Sequence, residues 1–487
     1  MGEKQMRRVT LLIVGFAMLL TMAACSGSGS NGSVGRNDIA IPDGGTGTES
    51  VRNEDKQPDR SAGVSPGETE KNKGGKKTIV LATGGSSDYF KEAKKKYEDR
   101  HPDITIQLKD YRGEGKLDES EYDKIVTKMN TELLSGKGAA DLIVLDFLPV
   151  GKYVNKKMLV DLSEMMEQDS SFQKEQYYSN IWDNSKLNGG LYSMPLHFYM
   201  DFFWVDEEAV SKTGVNIDDK TWTFDQFIDT TKELIKKGSY PHGLLGISKT
   251  GALELLFQDN YAAFVDEAGR KANFDSDLFV RLLEQVNTLF DEQVMTENYE
   301  GLQGYFDFRA SIRSIEDYFT YPVMFHGTGK LYQKPIAEGQ QTGTYFTTGY
   351  NVGIYSNSAV KKEAWDFIKF LLSDEMQGSK NRQDQNRSYL MFPMNKATLE
   401  GQLKELLKEG TVKFEDMDGK VKTVNITEAG LSIFKQRIAA ANKPLHQTPS
   451  QISEILFEEA KAFFNKQKSA EDAAKLIQSR VGIYLNE

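Results

Sequence analysis

The order of strands and helices early in the folded part constrains the fold more than any other feature of this sequence. Apolar runs and helical periodicity alternate there. They predict strands at residues 78–82, 104–108 and 141–146, separated by helices at residues 89–100 and 120–134. This alternation is typical of a parallel sheet whose faces are covered by helices. We therefore predict an α/β fold.

Sheets of this kind bind ligands at the carboxyl ends of their strands. The loop at residues 84–88 follows the first predicted strand, and Asp146 ends the third. We interpret Asp146 as a candidate acceptor for paired hydroxyls, with a helix N-cap or loop carboxylate as the alternative. The loop could offer backbone N–H groups to an anion. It lacks the Gly-Lys-Ser/Thr ending of a phosphate loop, which argues against a nucleotide.

Residues 191–205, LYSMPLHFYMDFFWV, form the most aromatic stretch of the chain, and eight of these fifteen residues are aromatic or Met. Pro195 argues against a helix, and Asp201 lies inside the apolar run with no basic residue near it in sequence. Two interpretations remain open: a strand buried on both faces, or a strand that lines a cavity for a flat ligand.

The N-terminus has the features of an export signal. Lys4, Arg7 and Arg8 precede an apolar run at residues 9–22, and Met22-Ala23-Ala24-Cys25 resembles the lipobox of bacterial lipoproteins. We predict a lipoprotein signal peptide over residues 1–25 with lipid attachment at Cys25; a secretory signal with an incidental Cys or a short membrane anchor is the alternative. Residues 26–76 are polar and rich in Gly and Ser, which predicts a flexible tether.

Composition excludes several classes of function. The net charge is −11 and the only basic run is at residues 94–96, so we expect no nucleic-acid partner. Cys25 is the only cysteine and the five His are scattered, which argues against disulfides, thiol catalysis and a metal site. No catalytic motif of a serine hydrolase, zinc protease or P-loop enzyme occurs, and we predict no catalytic residue.

The rest of the chain predicts further helices and a hairpin. Apolar stripes indicate helices at residues 252–261, 278–290, 358–372, 450–466 and 470–484. Thr223 and Gln226 have the spacing of a capping box at the start of another helix. Two alternating runs flank Asp418-Gly419, which predicts a β-hairpin over residues 411–426.

Several local patterns occur in an order that resembles one family. The chain is similar to family 1 extracellular solute-binding proteins, the carbohydrate-type binding lipoproteins of ABC importers, over residues 77–487. The stretches that carry the resemblance are residues 100–106 (RHPDITI), 140–146 (ADLIVLD), 186–196, 212–227, 266–276, 349–377 and 392–395. One departure is Val205-Asp206-Glu207, where many members have Tyr-Asn-Lys.

The resemblance implies an α/β, two-lobed periplasmic-binding-protein-like fold with hinge-crossing strands and a ligand held between the lobes. It places residues 77–190 with 353–394 in the N-terminal lobe and residues 206–344 with 395–487 in the C-terminal lobe. Residues 191–205 and 345–352 are then the hinge crossings. Closure of the lobes on a ligand is the expected conformational change.

A sugar site needs aromatic platforms for C–H faces and planar polar groups for hydroxyls. Tyr199 and Asp201 on the first crossing, with His197, are the leading candidates, and Phe203 is assigned to packing. The further candidates in the predicted ligand site are Ser86, Ser87, Asp88, Asp146, Trp182, Asn260, Tyr321, Tyr350 and Arg387. Phe202, Trp204, Gln258 and Phe325 are additional candidates, and each aromatic has a core position as its alternative.

The resemblance favours a lipid-anchored receptor on the outer face of a bacterial, Gram-positive cell membrane. It is expected to be a monomer that captures a carbohydrate, by preference an oligosaccharide, delivers it to ABC permease subunits, and uses no cofactor. Three alternatives stay open: a same-fold receptor for a peptide, polyamine or metal chelate, a receptor that reports to a membrane sensor, and an extracellular glycosidase with paired carboxylates.

Overall fold

The computed structural model describes residues 76–85, 88–112, 119–135, 140–146, 148–300, 303–324, 328–337, 340–378, 391–446 and 448–486. The strands are β1 Lys77–Thr83, β2 Ile104–Asp110, β3 Leu142–Val144, β4 Met194–Asp206, β5 Leu244–Leu245, β6 Val265–Asp266, β7 Lys271–Ala272, β8 Met295–Thr296, β9 Phe306–Ile312, β10 Gly329–Tyr332, β11 Thr344–Ile354, β12 Phe392–Pro393, β13 Thr411–Glu415, β14 Val421–Asn425 and β15 Ala441–Pro444.

The helices before residue 260 are α1 Asp88–Arg100, α2 Glu119–Leu134, α3 Val150–Asn155, α4 Leu162–Gln168, α5 Ser179–Asn184, α6 Glu207–Thr213, α7 Phe224–Lys237 and α8 Lys249–Asp259, with a 3₁₀ turn at Lys174–Gln176. The later helices are α9 Tyr261–Phe264, α10 Asp277–Asp291, α11 Ile315–Met324, α12 Lys361–Leu371, α13 Asp374–Gln377, α14 Lys396–Glu409, α15 Glu428–Ala439, α16 Ser450–Phe464 and α17 Ala470–Asn486. No helix in the described ranges is both long enough and apolar enough to cross a bilayer.

One mixed sheet connects most of these elements. Its strand order is β10-β4-β11-β3-β1-β2, and β9, β12 and β15 pair with β4 or β11 beside this path. Strands β1, β2 and β3 are parallel, as the alternation of strands and helices predicts. The long strands β4 and β11 are antiparallel and pair with each other in the middle of the sheet.

Buried apolar side chains form three clusters around this sheet. The first contains residues of β1, β2, β11, α12 and α14. The second lies beyond β4 and contains residues of α7, α8, α10, α16 and α17, and the third packs α2 and Tyr153 against β1 and β3. Strand β4 belongs to two of them: Phe202 and Trp204 lie in the first cluster, and Phe203 and Val205 in the second.

Most predicted elements are confirmed, with ends displaced by local hydrogen bonds. The capping box is present: Thr223 Oγ1 accepts from the Gln226 N–H, and Gln226 Oε1 accepts from the Thr223 N–H. The third strand starts one residue later than predicted because Asp141 uses its carboxylate for the backbone N–H of Val80, at 2.9 Å. Helix α8 starts earlier than predicted because Ser248 caps it.

Candidate functional site

The two faces of β4 differ in polarity because successive side chains of a strand point to opposite faces. Phe198, Met200 and Phe202 are fully buried on one face. The opposite face, which we call the polar face of β4, carries His197, Tyr199 and Asp201. One face of the aromatic stretch is therefore core, and the opposite face presents polar groups.

Asp201 joins three strands through its carboxylate. Oδ1 accepts a hydrogen bond from Ser311 Oγ of β9 at 2.5 Å, and Oδ2 accepts one from Thr347 Oγ1 of β11 at 3.2 Å. Burial raises the pKa of Asp201 to about 6, against the opposing effect of the two hydroxyl donors and of nearby Lys334. The buried carboxylate of Asp201 on β4 is therefore hydrogen-bonded to both neighbouring strands, β9 and β11.

An ion pair lies beside this acid. Lys334 Nζ contacts Asp259 Oδ1 at 2.5 Å, and the two side chains are only 6% and 10% exposed. The ammonium also lies 4.9 Å from the ring centroid of Tyr345, which is the β11 residue opposite Asp201. Burial raises the pKa of Asp259, while Lys334 acts in the opposite direction. The pair therefore links the end of α8 to the start of β11.

Tyr199 is the partly buried residue between His197 and Asp201 on the polar face. The guanidinium of Arg313, which directly follows β9, lies 4.8 Å from the centroid of its ring. Thr347 is opposite Tyr199 in the β4–β11 pairing. Burial is the main cause that raises the pKa of the Tyr199 phenol. The ring is therefore a platform with a cation on one side.

Three rings around the other end of the polar face form a unit that we call the cage: Tyr89, His197 and Tyr350. Tyr89 and Tyr350 stack at 5.2 Å, and His197 meets them edge-on at 5.3 and 5.5 Å. The Tyr89 hydroxyl donates to the Leu371 carbonyl at 2.9 Å, which fixes that ring. Burial lowers the pKa of His197 to about 4, so its imidazole is neutral at pH 7.

Asp146 bonds to the part of β11 that carries the Tyr350 ring of the cage. Its Oδ1 accepts hydrogen bonds from the Asn351 side-chain amide at 2.6 Å and from the Asn351 N–H at 3.2 Å, and the Tyr350 N–H also contributes. Burial raises the pKa of Asp146 to about 6. Tyr350 has a φ of 51°, a left-handed conformation that is rare for a residue with a side chain. Asp146 therefore holds the strained turn that carries the Tyr350 ring.

Asn260 directly follows α8 as its C-cap. Its Oδ1 accepts from Gln340 Nε2 at 2.9 Å, and its Nδ2 donates to the Leu256 carbonyl. Asn260 lines a cavity of about 490 Å³ together with Asp259, Lys334 and apolar residues of α8 and α10. That volume lies within the usual range for small-ligand sites.

The other predicted site residues are not brought into this arrangement. Trp182 is fully buried in the first cluster and its indole N–H donates to the Pro195 carbonyl, so it is a packing residue. Tyr321 packs against the same cluster, and Asp88 is exposed and pairs with Lys91. Phe202 and Trp204 are buried core residues. Ser86, Ser87, Phe325, Arg387 and the attachment residue Cys25 lie outside the described residues.

Sequence reasoning missed four residues that contact the polar face: Tyr89, Ser311, Arg313 and Thr347. Tyr89 had a usable signal, since it opens the first helix directly after the loop at the carboxyl end of β1. Ser311 and Arg313 had none, because only the pairing of β9 with β4 brings them there. Within the described part of the chain, no group of three His, Cys, Asp or Glu side chains could hold a metal ion.

A curated protein of known ligand has a similar sequence. The arabinooligosaccharide-binding protein of Bacillus subtilis (strain 168) is 21% identical over 240 residues, which are 49% of this chain and 51% of that protein. The chain thus spans about half the length of this curated relative.

Two solved structures show the same fold. A periplasmic oligogalacturonide binding protein from Yersinia enterocolitica is 16% identical, with a TM-score of 0.55 over 84% of this chain and 99% of that chain. The cyclic alpha-maltosyl-1,6-maltose binding protein from Arthrobacter globiformis is 15% identical, with a TM-score of 0.52 over the same shares. At these identities the likeness concerns the fold alone, and it confirms the predicted two-lobed, periplasmic-binding-protein-like α/β architecture.

A family model described as bacterial extracellular solute-binding protein matches residues 83–378, more than half of the chain. This match confirms the family that the sequence resembles. The chain belongs to the bacterial extracellular solute-binding proteins.

Proposed function

We propose that this protein captures a carbohydrate, by preference an oligosaccharide, on the polar face of β4 and delivers it to an ABC importer. The observation that carries the proposal is the composition of that face. The Tyr199 ring lies between a neutral His and a hydrogen-bonded Asp, and the rings of Tyr89 and Tyr350 pack against that His. Aromatic rings pack against the C–H faces of sugars, and planar polar groups bind their hydroxyls.

The polar groups of this face fit a ligand that carries hydroxyls. Burial lowers the pKa of His197 to about 4, so its imidazole is neutral at pH 7. Burial raises the pKa of Asp146 and Asp201 to about 6, so both are mainly ionised at pH 7, and both already accept hydrogen bonds from neutral protein groups. The sugar-binding relatives from B. subtilis and A. globiformis are consistent with such a ligand.

The proposed cycle of lobe opening and closure is based on the central position of β4 and β11 in the sheet. Residues 77–190 with 353–394 form one lobe, residues 206–344 with 395–487 form the other, and residues 191–205 and 345–352 connect them. A ligand that contacts both lobes stabilises the closed form, and the permease then distinguishes closed from open protein. The protein acts as a binding protein and not as an enzyme.

Anchoring to the outer face of a Gram-positive cell membrane is part of the proposal. The lipobox-like Met22-Ala23-Ala24-Cys25 would be processed to a diacylated Cys25, and residues 26–76 would serve as a tether. Cys25→Ala is expected to shift the protein from the membrane fraction to the medium or to leave its signal uncleaved. Unchanged membrane retention of correctly processed Cys25→Ala protein would contradict the anchor.

A thermal-shift series tests the ligand class. The protein is heated with arabinotriose, maltotriose, trigalacturonate, trialanine or spermidine, each in excess. A ligand at about 100 times its Kd adds about 2.7 kcal/mol to the free energy of unfolding, which raises Tm measurably. Stabilisation by a saccharide supports the proposal. Stabilisation by trialanine or spermidine with no response to any saccharide would replace the sugar with a peptide or polyamine, and turnover of a trisaccharide would indicate a glycosidase.

A further inference from the structure

His197 has a buried ring nitrogen without a protein partner. Its side chain is 9% exposed, and Nδ1 forms no hydrogen bond with any described residue. A buried polar atom left unsatisfied costs about 1–3 kcal/mol. The ligand-free arrangement therefore carries a penalty at this ring, and a ligand group that hydrogen-bonds the ring would remove it.

The chemistry of the missing partner follows from the protonation state of His197. The neutral imidazole offers one N–H donor and one lone pair, on different nitrogens. A hydroxyl both donates and accepts, so it matches Nδ1 in either tautomer. A carboxylate only accepts and an ammonium group only donates. A sugar hydroxyl is the most general partner for this nitrogen.

The surroundings of the cage disfavour a charged sugar. Asp146 bonds to the backbone below Tyr350, and it forms no ion pair within the described part of the chain. A ligand carboxylate at the cage would place a second anion near this desolvated acid, which costs free energy because like charges repel. The cage thus fits an uncharged ring better than a uronate.

The strand opposite His197 provides space for a ligand. Gly349 of β11 pairs directly with His197, and paired residues of antiparallel strands point to the same face. A side chain at Gly349 would lie 2.6 Å from the sulfur of Met391, so Met391 occupies this space on the polar face. Methionine is unbranched and flexible, and it can vacate the space by a change of rotamer.

We propose that His197 is the specificity-determining residue of the site: it hydrogen-bonds a hydroxyl of an uncharged sugar ring that displaces Met391 and packs against the cage. This inference rests on the proposed function and narrows its ligand class to saccharides that are uncharged at this position. Asp146 acts as a positioning residue, since it holds Tyr350 in its left-handed conformation.

Calorimetric titration tests the inference. The four Trp side chains are at most 4% exposed, so heat of binding is a better signal than tryptophan emission. The probes are trigalacturonate and whichever of arabinotriose and maltotriose shifts Tm more. The proteins are the unmodified chain, His197→Phe, His197→Gln and the control His242→Phe, in which a half-buried His outside the polar face is replaced. Phe keeps the flat ring without nitrogens, and Gln restores a donor and an acceptor.

We expect the unmodified protein to bind the neutral trisaccharide at least about tenfold more tightly than trigalacturonate. His197→Phe should weaken that binding at least about tenfold, as the loss of one buried hydrogen bond implies. His197→Gln should recover part of the loss, and His242→Phe should bind normally. The Tm of ligand-free His197→Phe should be unchanged or higher, because the unsatisfied nitrogen is gone.

Two outcomes would overturn the inference while the proposed function stands: binding of the neutral trisaccharide by His197→Phe within twofold of the unmodified protein, or tighter binding of trigalacturonate. The comparison of the two probes uses the unmodified protein, so it decides the charge preference even if a variant fails to fold. Absence of binding of every saccharide by the unmodified protein would instead refute the proposed function itself.

Discussion

The side-chain amide of Asn155 donates a hydrogen bond to the carbonyl oxygen of Glu267 at 2.7 Å. Asn155 ends α3, which precedes β4 in the chain, and Glu267 follows β4. The same region brings the Lys152 ammonium to 3.8 Å from the ring centroid of Tyr484. Two parts of the chain that β4 separates in sequence are therefore in direct contact at a place other than the polar face.

Gly151 is the tightest point of this contact. A Cβ at Gly151 would lie 2.2 Å from Cβ of Glu267, and its N–H bonds to the Glu267 carboxylate. We expect Gly151→Ala to separate α3 from Glu267, because overpacking costs about 1–3 kcal/mol. In the proposed cycle of lobe closure this contact belongs to the closed form, so ligand affinity should fall by roughly tenfold per 1.4 kcal/mol lost from it. Calorimetry and the radius of gyration from solution scattering measure the two effects.

Gly401 provides a matched control for this substitution. It also lies in a helix, α14, but no atom is within 4 Å of a Cβ at that position. Gly401→Ala should leave affinity unchanged and increase stability slightly, since Ala is the better helix former by up to about 1 kcal/mol. Equal affinities and equal radii of gyration for the two variants would show that the contact of Gly151 with Glu267 has no part in closure.

Asp201→Asn tests the desolvated acid of the polar face. The pKa of Asp201 is about 6 in the folded protein, above the unfolded value of about 3.9, so the folded state binds more protons between these pH values. The charged carboxylate therefore destabilises the fold fully above pH 6, and this penalty disappears as the pH falls through 6 towards 4. Asn should remove up to about 3 kcal/mol of penalty at high pH and none at low pH.

Urea unfolding of Asp201→Asn at a series of pH values measures this difference. Asp418→Asn, an exposed site in the hairpin, controls for the change in net charge. We expect the unmodified protein to gain stability relative to Asp201→Asn on acidification. A loss of more than about 1 kcal/mol in Asp201→Asn at high pH would mean that the hydrogen bonds from Ser311 and Thr347 outweigh the cost of burial.

Much of the fold was predictable because its signals are local. The parallel strands β1, β2 and β3, the capping box at Thr223 and the hairpin at Asp418-Gly419 each depend on residues within one short window. His197, Tyr199 and Asp201 were predictable as a set because strand alternation places them on one face. Phe203 was correctly assigned to packing: alternation alone would put it on the face of Asp201, but the structure places it in the second hydrophobic cluster.

The rest of the site depends on pairings that sequence alone does not reveal. Trp182 is an aromatic residue near the crossing strand, and only the structure shows its indole bonded inside the core. Asp146 follows a strand end as predicted, but its carboxylate is used by Asn351, which is 205 residues away. Ser311 reaches Asp201 only because β9 lies beside β4. Such long-range pairings carry no periodicity that a window of sequence could display.

The ion pair of Lys334 and Asp259 should be important for stability. Removing either side chain's charge leaves the other charge buried without a partner, which costs free energy. Both side chains are almost fully buried, and their contact is the ion pair nearest to Asp201 that the described residues show. Lys334→Met leaves Asp259 without its cation, and Asp259→Asn leaves Lys334 without its anion. Each single variant should lose about 3–5 kcal/mol of unfolding free energy.

The double variant distinguishes this cost from the attraction within the pair. With both charges removed, Met and Asn leave no buried ion, so the double variant should be more stable than either single variant. Urea unfolding of all four proteins at neutral pH gives the coupling energy directly. Additive losses, with the double variant the least stable of the four, would mean that the two side chains contribute through packing and hydrogen bonds to their other neighbours, such as the ring of Tyr345 beneath Lys334.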